Sequence, residues 1–438
     1  MRNLCYSTPI ILQSLFLFSD CLADNGFGTK SSAVVASAAS SIQTIAKVTD
    51  LSDSLSEPPQ PGTLRATLRN AAPGTTITFD RAGTINLLAP LDISTADVTI
   101  DGTSNPIVIA GDSIRIKASR VTLRHLWIFA GDAAPSGSRP GVNGHSKPGE
   151  RDAITVFGPD SADGSAVEDI TIDHCWIGFG IDECLSTYGK VEGLSVTNSI
   201  IGYGLNRSLH PKDLADAEVP GHGKGILLGL HAKNITFRGN LLLHNFDRNI
   251  AVREGVENVS FINNVVYNFG RGNTFTVAGK GIPPSSGTFA GNVYIAGSES
   301  WAKIPPFRPA DAETAKSFQA FGNIGTIEPQ ADIPHALSID LKEGEKARLS
   351  QLKIAYPDKA FHDVLHTAGP HPALSDALSK RAVSDVFRRT GKVIDYVSEP
   401  KNPAATTGLG LDISLDGLVP PARVSSYKFI EGGVRVVP

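Results

Sequence analysis

The sequence predicts an all-β fold, a right-handed parallel β-helix, with a capping helix near its start and a C-terminal extension. Three observations predict it: short β-branched triplets recur along the middle of the chain, a polar or small residue follows each triplet at a fixed distance, and a second apolar run comes next. The composition agrees, since 43 glycines and one methionine among 438 residues suit short strands joined by tight turns.

The triplets recur with the period of a solenoid. Their starts differ by 23, 49, 24, 41, 24 and 28 residues, and the two long gaps each fit one further coil plus an insertion. This period is shorter than the roughly 40 to 45 residues of a β-propeller blade. The triplets are Val98-Thr99-Ile100, Val121-Thr122-Leu123, Ile170-Thr171-Ile172, Leu194-Ser195-Val196, Ile235-Thr236-Phe237, Val259-Ser260-Phe261 and Gly287-Thr288-Phe289.

A corner of each coil is predicted four positions after the triplet begins. That position holds His125, His174, Asn198, Gly239, Asn263 and Gly291. Asn and Gly tolerate the left-handed backbone that a corner needs. Because His174 occupies this corner position, we predict a structural role for it. Asn240, Asn264 and Asn292 come one position later, where stacked amides can hydrogen-bond from coil to coil.

The first residues have the pattern of an export signal. Arg2 is followed by an apolar run from Pro9 to Phe18 and by the small-residue pattern Cys21-Leu22-Ala23. The run is too short to span a membrane. We therefore expect a signal peptide over residues 1–23 and a secreted, extracellular protein.

The remaining chain is divided into three parts. Residues 24–45 are predicted to be a linker, and residues 46–300 the β-helix, with a short amphipathic helix at Thr63 to Asn70 capping its first coil. Residues 301–438 are predicted to form a loop and helical extension, with helical spacing from Ala373 to Thr390. The extension either lies along the β-helix or caps its far end.

Charge and cysteine content limit the class of partner. The formal net charge of -4 gives no indication of nucleic acid binding, so an acidic partner has to meet a local basic patch. We expect a monomer without membrane contact. Removal of the leader leaves Cys175 and Cys184, which fit either a disulfide or two buried thiols.

Seven short segments carry a resemblance to a known family. They are Pro61-Gly62-Thr63-Leu64-Arg65, Val98-Thr99-Ile100-Asp101-Gly102, Asp152-Ala153-Ile154, Ile172-Asp173-His174-Cys175, Asp182 to Ser186, Lys224 to Gly229 and Arg248 to Gly255. Their order and spacing resemble those of the pectate lyase family, over about residues 46 to 300. The resemblance implies a β-helix enzyme that cleaves an acidic polysaccharide, polygalacturonate, by calcium-assisted β-elimination.

The resemblance also implies roles for three basic residues. Arg248 corresponds to the catalytic base, and Lys224 and Arg253 correspond to residues that bind substrate carboxylates. Arginine suits the binding role because its guanidinium can hold a carboxylate by two hydrogen bonds. As a base it is unusual, since a free guanidinium keeps its proton to above about pH 12. The substrate proton must therefore be acidified first.

A bound cation acidifies that proton by drawing charge from the adjacent carboxylate. Calcium takes six to eight oxygen ligands, and Glu150, Asp152 and Asp182 correspond to acidic ligands of the family. The chain departs from the family pattern at Ser186, where a second acid is expected. Glu183 is not expected to replace it, because adjacent residues of a strand face opposite sides.

Two other functions remain open. A calcium-independent pectin lyase acting on methylated polymer agrees with Ser186 but not with the acids at Asp152 and Asp182. A non-catalytic β-helix that binds polysaccharide or acts as an adhesin has no need of both Lys224 and Arg248.

Hydrolysis is disfavoured. Gly221-His222-Gly223 and Arg115-Ile116-Lys117 resemble motifs of hydrolases that cut polygalacturonate on the same fold. Here the basic motif precedes the histidine instead of following it, and the paired aspartates that would serve as acid and base are missing.

Overall fold

The computed structural model describes residues 44–132, 145–160, 164–216, 221–270, 275–277, 285–300, 307–309, 316–326, 341–370, 376–398, 402–409, 426–430 and 433–437. The expected signal peptide and all but the last two residues of the expected linker lie outside these ranges. In the described ranges no helix combines the length and the apolar character needed to cross a membrane.

The chain winds through three parallel sheets in turn, here called A, B and C, and each full coil gives one strand to each sheet. Sheet A contains β1 (Thr44–Val48), β2 (Thr75–Phe79), β5 (Thr99–Asp101), β8 (Thr122–Arg124), β11 (Val167–Asp173), β14 (Val191–Thr197), β17 (Lys233–Arg238), β20 (Glu257–Ile262), β23 (Gly287–Ala290) and β26 (Phe318–Phe321). Sheet B contains β3 (Gly83–Asn86), β6 (Ile107–Ala110), β9 (Leu126–Phe129), β12 (Trp176–Gly178), β15 (Ile200–Gly202), β18 (Leu241–Leu243), β21 (Val265–Tyr267), β24 (Val293–Ile295) and β27 (Ile324–Thr326). Sheet C contains β4 (Leu91–Ile93), β7 (Ile114–Ile116), β10 (Ile154–Phe157), β13 (Glu183–Tyr188), β16 (Lys224–Leu228), β19 (Ala251–Val252), β22 (Phe275–Val277) and β25 (Phe307–Pro309). The prediction of a right-handed parallel β-helix is confirmed.

The β-branched triplets form the inner face of sheet A. Ile100, Leu123, Ile172, Val196, Phe237, Phe261 and Phe289 are aligned in register on successive strands and are at most 1% exposed. Burying each such side chain contributes about 1.5 to 3 kcal/mol. The repeat in the sequence is therefore the repeat of the core.

The predicted corners adopt the left-handed backbone conformation. All six residues named for this position have positive φ, including His174 at 49° and Asn198 at 47°. The His125 and His174 rings stack with centroids 5.0 Å apart, in agreement with a structural role. One position later, the side-chain amides of Asn240, Asn264 and Asn292 each donate to the amide oxygen of the next asparagine, ending at Asn323, over 2.9 to 3.1 Å.

The first coil is closed by the predicted helix. Helix α1 (Leu64–Asn70) begins after Thr63, whose hydroxyl accepts a hydrogen bond from the Ala66 N–H. Such N-terminal caps contribute about 1 kcal/mol. Leu64 and Leu68 are buried in the same core as Val48 of the first strand, so α1 covers the end of the stack.

The coils continue past the predicted end at residue 300, to Thr326 in β27. The sequence did not reveal this coil because Phe318-Gln319-Ala320-Phe321 in β26 contains no β-branched residue. Its strand is nevertheless aligned with β23 of sheet A.

The C-terminal extension lies along the flank of the β-helix. It contains α3 (Glu343–Gln351), α4 (Pro357–Thr367) and α5 (Ala377–Arg388), followed by an antiparallel hairpin of β28 (Ser426–Ile430) and β29 (Gly433–Val437). Val364 of α4 and Val386 of α5 belong to one buried cluster with Trp127 and Trp176 on the outer face of sheet B. The Trp127 indole also donates to Asp376, the N-cap of α5, over 3.1 Å.

Two short helical segments and two cysteines also bear on the sequence analysis. A short helix, α2 (Pro211–Ala215), and a 3-10 turn at Pro148–Glu150 lie in loops that leave the coil. Cys175 and Cys184 are buried free thiols, which decides between the two alternatives left open by the sequence.

Candidate active site

Four strands of sheet C bring the predicted site residues to one edge. Asp152 lies two residues before β10 and Asp182 directly before β13. Lys224 is the first residue of β16, and Arg248 lies three residues before β19. Neighbouring strands of a sheet lie about 4.8 Å apart. Residues nearly a hundred positions apart in sequence therefore share one edge of the sheet.

Three carboxylates converge at this edge. One oxygen each from Asp152, Asp182 and Glu183 lies within 4.8 Å of the others. Asp152 and Glu183 are only 6% and 3% exposed, while the Asp182 side chain is 22% exposed. Asp152 is held by hydrogen bonds from the Thr155 hydroxyl and the Glu183 N–H, both at 2.9 Å.

Glu183 corrects the expectation from strand alternation. Asp182 lies in the bend before β13, and Glu183 is the first residue of the strand. Alternation applies only within a strand, so both side chains can face the same side. The sequence argument against Glu183 was wrong because it placed Asp182 inside the strand.

Two cations neutralise part of this negative charge. The Lys224 ammonium lies 3.2 Å from Asp182 Oδ1 and 3.7 Å from Glu183 Oε1. The Arg248 guanidinium forms an ion pair with Glu183 through its Nη1. Arg248 has a left-handed backbone, φ 50°, which is uncommon outside glycine, and its N–H donates to Asp247 over 2.8 Å.

Burial and neighbouring negative charges raise the pKa values of two of these acids, Asp152 and Glu183. Burial, with the Asp182 charge, raises the pKa of Asp152 to about 6, against hydrogen bonds from Ser186, Glu183 and Thr155. Burial, with the charges of Asp152 and Asp182, also raises the pKa of Glu183, against Lys224 and Arg248. Folding therefore holds negative charge at this edge at a cost in stability.

Of the remaining residues named from the sequence, Glu150 and Arg253 lie at the periphery of the carboxylate cluster, and Ser186 lies within it. Glu150 is exposed, with its carboxylate 3.6 Å from the Lys147 ammonium. Ser186 donates its hydroxyl to Asp152, so the residue in place of the expected acid binds the neighbouring carboxylate. Arg253 follows β19 at the opposite end of that strand and pairs with Glu254 at 2.9 Å.

A histidine pair borders the carboxylates, and the sequence argument did not assign it to the site. The His210 and His222 rings stack with centroids 3.4 Å apart, and His210 Nε2 lies 3.8 Å from Asp182 Oδ1. The Gly221-His222-Gly223 motif was the sequence signal for this pair. It was weighed only as a possible hydrolase motif, and His222 was therefore not placed at the site. Gly223 has φ 39°, which permits the turn between His222 and Lys224.

A cavity of about 480 Å³ opens beside this edge of sheet C. It is lined by the acids Glu150, Asp152, Asp182 and Glu183, by Arg115, and by the aromatic rings of Phe157 and Tyr188. An acidic wall, nearby cations and exposed aromatic surface suit a polar ligand that carries charge.

The fold and this site define a class: a parallel β-helix protein with a cavity of buried carboxylates and cations on one sheet. No family model matches the chain. In sequence it is similar to proteins named probable pectate lyase C. The protein of Aspergillus flavus is 29% identical over 243 residues, 53% of this chain and 47% of that protein.

The corresponding protein of Emericella nidulans is 31% identical over 229 residues, 50% of this chain and 43% of that protein. The chain thus spans less than half the length of the curated relatives it matches. Among solved structures it aligns with jun a 1, the major allergen from cedar pollen, at 15% identity and a TM-score of 0.43, covering 74% of this chain and 88% of that chain. The relatives confirm the resemblance to the pectate lyase family.

Proposed function

We propose that this protein is a polysaccharide lyase that cleaves polygalacturonate by β-elimination. The observation that carries the proposal is the meeting of Lys224 and Arg248 with Asp182 and Glu183 at one edge of sheet C, beside an open cavity. A structural scaffold gains little from three crowded acids, since buried like charges oppose folding. The pectate lyase C proteins similar to this chain support the same reaction.

Calcium is the proposed cofactor. Carboxylate oxygens at 2.3 to 2.6 Å from an ion lie up to about 5 Å apart across it. The oxygens of Asp152, Asp182 and Glu183, which lie within 4.8 Å of one another, therefore fit Ca²⁺. Glu150, at the rim of the same cavity, is a further candidate ligand. When bound, calcium would draw charge from the substrate carboxylate and so acidify the adjacent C5 proton.

The basic residues carry the remaining chemistry. Lys224 binds the carboxylate of the reacting sugar and stabilises the charge that develops there. Arg248 first gives up one guanidinium proton to solvent, and the neutral side chain then takes the C5 proton as a double bond forms between C4 and C5. The C4–O4 bond breaks at the same time, and the departing oxygen takes a proton from solvent. Arg253 binds a carboxylate of a neighbouring sugar.

The test is the ultraviolet absorbance of the unsaturated product on polygalacturonate. We expect absorbance to rise with calcium and to fall with chelator, and Arg248→Ala to lose at least about 10³-fold in kcat/KM, near the upper range for removing a general base. Arg69→Ala is the matched control, because Arg69 is a surface arginine of α1 that, among the described residues, forms an ion pair with Glu57 alone. No absorbance rise under any condition would favour a non-catalytic binding protein.

A calcium-independent lyase is the second candidate. The ion pairs of Lys224 and Arg248 already balance two of the three carboxylates, and Ser186 takes the place of a further acid. If activity is unchanged by chelator and higher on methylated polymer, this candidate replaces the first.

Export from the cell is part of the proposal. Its support is the apolar run from Pro9 to Phe18 and the small-residue pattern that follows it. Mass spectrometry of protein recovered from culture medium tests it: an N-terminus at Asp24 is expected, and an intact Met1 would contradict it.

A further inference from the structure

We propose that Asp182, His210 and His222 bind a transition-metal ion of the zinc class. One donor atom from each residue lies within 4.8 Å of the others. This donor set differs from the carboxylate cluster in chemistry, because two imidazoles and one carboxylate suit Zn²⁺, Co²⁺ or Ni²⁺ and not Ca²⁺. The site shares only Asp182 with the proposed calcium ligands.

The distances are close to those of a bound site. Ligands at about 2.0 to 2.2 Å from zinc lie up to about 4 Å apart, and His210 Nε2 is 3.8 Å from Asp182 Oδ1. Both histidines are nearly buried, at 6% and 5% exposure.

A buried carboxylate orients His222 for this role. The ring Nδ1 of His222 lies 2.7 Å from Asp213 Oδ1, and the backbone N–H of His222 donates to Asp213 Oδ2 over 3.3 Å. Asp213 is 3% exposed, and its own carbonyl accepts from the Asn402 amide. A carboxylate that takes one ring N–H leaves the other nitrogen with its lone pair, as in known metal sites.

Both histidines and Asp213 come from one insertion into the coil. The segment between β15 and β16 is longer than the usual link, and it carries His210, Asp213 and His222. The ring of His210 faces Gly149 of the 3-10 turn, where a side chain would approach His210 Nε2 to 3.4 Å. Gly149 lines the cavity, so His210 lies close behind the cavity wall.

Binding requires three rearrangements. The stacked rings of His210 and His222 must turn apart, because the lone pair of each imidazole lies in its ring plane. His210 Nδ1 accepts a 3.2 Å hydrogen bond from the Lys212 N–H, so coordination through Nε2 moves the ring proton to Nδ1 and breaks that bond. Lys224 lies 3.2 Å from Asp182 Oδ1 and must share that carboxylate with the ion or give it up. Removal of Lys224 is therefore expected to tighten binding of the ion.

The test is titration of the chelator-treated full chain with Co²⁺, followed by its visible absorption, and then displacement by Zn²⁺. We expect one equivalent to bind with the strong absorption of a four- or five-coordinate ion. His222→Ala should abolish that absorption, and Asp213→Asn should weaken affinity about 10 to 100-fold, as for residues that orient a ligand. His362→Ala removes an exposed histidine of α4 and should change nothing.

A folding defect is separated from loss of the site by thermal unfolding. Zn²⁺ should raise the unfolding temperature of the wild-type chain and of His362→Ala but not of His222→Ala. Equal cobalt affinity in wild type and His222→Ala, or no binding by the wild type, would overturn the proposal. These readouts use no polysaccharide, so their failure leaves the proposed lyase activity intact, and failure of the lyase assay leaves them intact.

Discussion

The asparagine ladder between sheets A and B and the carboxylate cluster at the edge of sheet C are both rows of buried polar groups on successive coils. In the ladder, each amide donates and accepts, so the amides of Asn240, Asn264 and Asn292 are all paired. In the cluster, three acids meet two cations, Lys224 and Arg248. The buried amides of the ladder therefore stabilise the fold, whereas the carboxylate cluster keeps one negative charge more than its two cations balance.

The ladder should be the more sensitive to loss of a side chain. Asn264→Ala removes two bonds accepted from Asn240 and two donated, to Phe237 O and Asn292. Because the partners stay buried, the free energy of unfolding should fall by about 3 kcal/mol in urea titration. Asn105→Ala, which loses one bond to Phe79 O, should cost about 1 kcal/mol. Equal losses would show that the ladder adds nothing beyond single hydrogen bonds.

The cluster should respond in the opposite direction. Glu183→Gln keeps the side-chain shape and leaves two acids opposite two cations, so stability should rise by about 1 to 2 kcal/mol while lyase activity falls. Because burial raises the pKa of Glu183 in the folded state, the gain should be full at high pH and should vanish as pH falls and the wild-type acid takes up its proton.

Glu257→Gln is the matched control on sheet A. Glu257 pairs with Lys233 at 2.6 Å on the surface, and its loss should change stability by less than about 1 kcal/mol. A loss of stability in Glu183→Gln would show that the ion pair with Arg248 outweighs the crowding of charge.

The smallest change in stability is expected at Asp173, the last residue of β11, directly before the corner at His174. Burial opposes its ionisation, but hydrogen bonds from His174, Thr197 and Asn198 lower its pKa to about 2. Its contribution, under about 1 kcal/mol, is therefore present above about pH 4 and is lost as pH falls toward 2. Asp173→Asn should flatten acid unfolding in that window, and an unchanged pH profile would contradict the assignment.

Sequence reasoning succeeded for the ladder because its signal is local and repeated. A triplet, a left-handed corner and an asparagine recur in each coil, and each follows from backbone sterics and hydrogen bonding alone. It failed for the last coil, where Phe318 joins the core of the β-helix but Phe321 packs with Leu349 and Ile354 of the C-terminal extension, so the triplet pattern is absent.

The site was only partly accessible from sequence. The resemblance to the pectate lyase family singled out Asp152, Asp182, Lys224 and Arg248, and the structure has them at one edge of sheet C. Glu183 was missed because the prediction placed Asp182 inside β13. The strand begins one residue later, at Glu183, so the two side chains need not point to opposite faces of the sheet. The contacts of His210 and His222 depend on the path of an inserted loop, which has no period.

The helical layer over sheet B limits how the chain can be shortened. The rings of Trp127, Trp176 and Tyr203 lie beneath α4 and α5 in one buried cluster. A version ending at Thr326 would keep every coil and every candidate site residue, yet present this row of large rings to water. A continuous exposed apolar patch of this kind favours self-association, so the truncated protein is expected to aggregate.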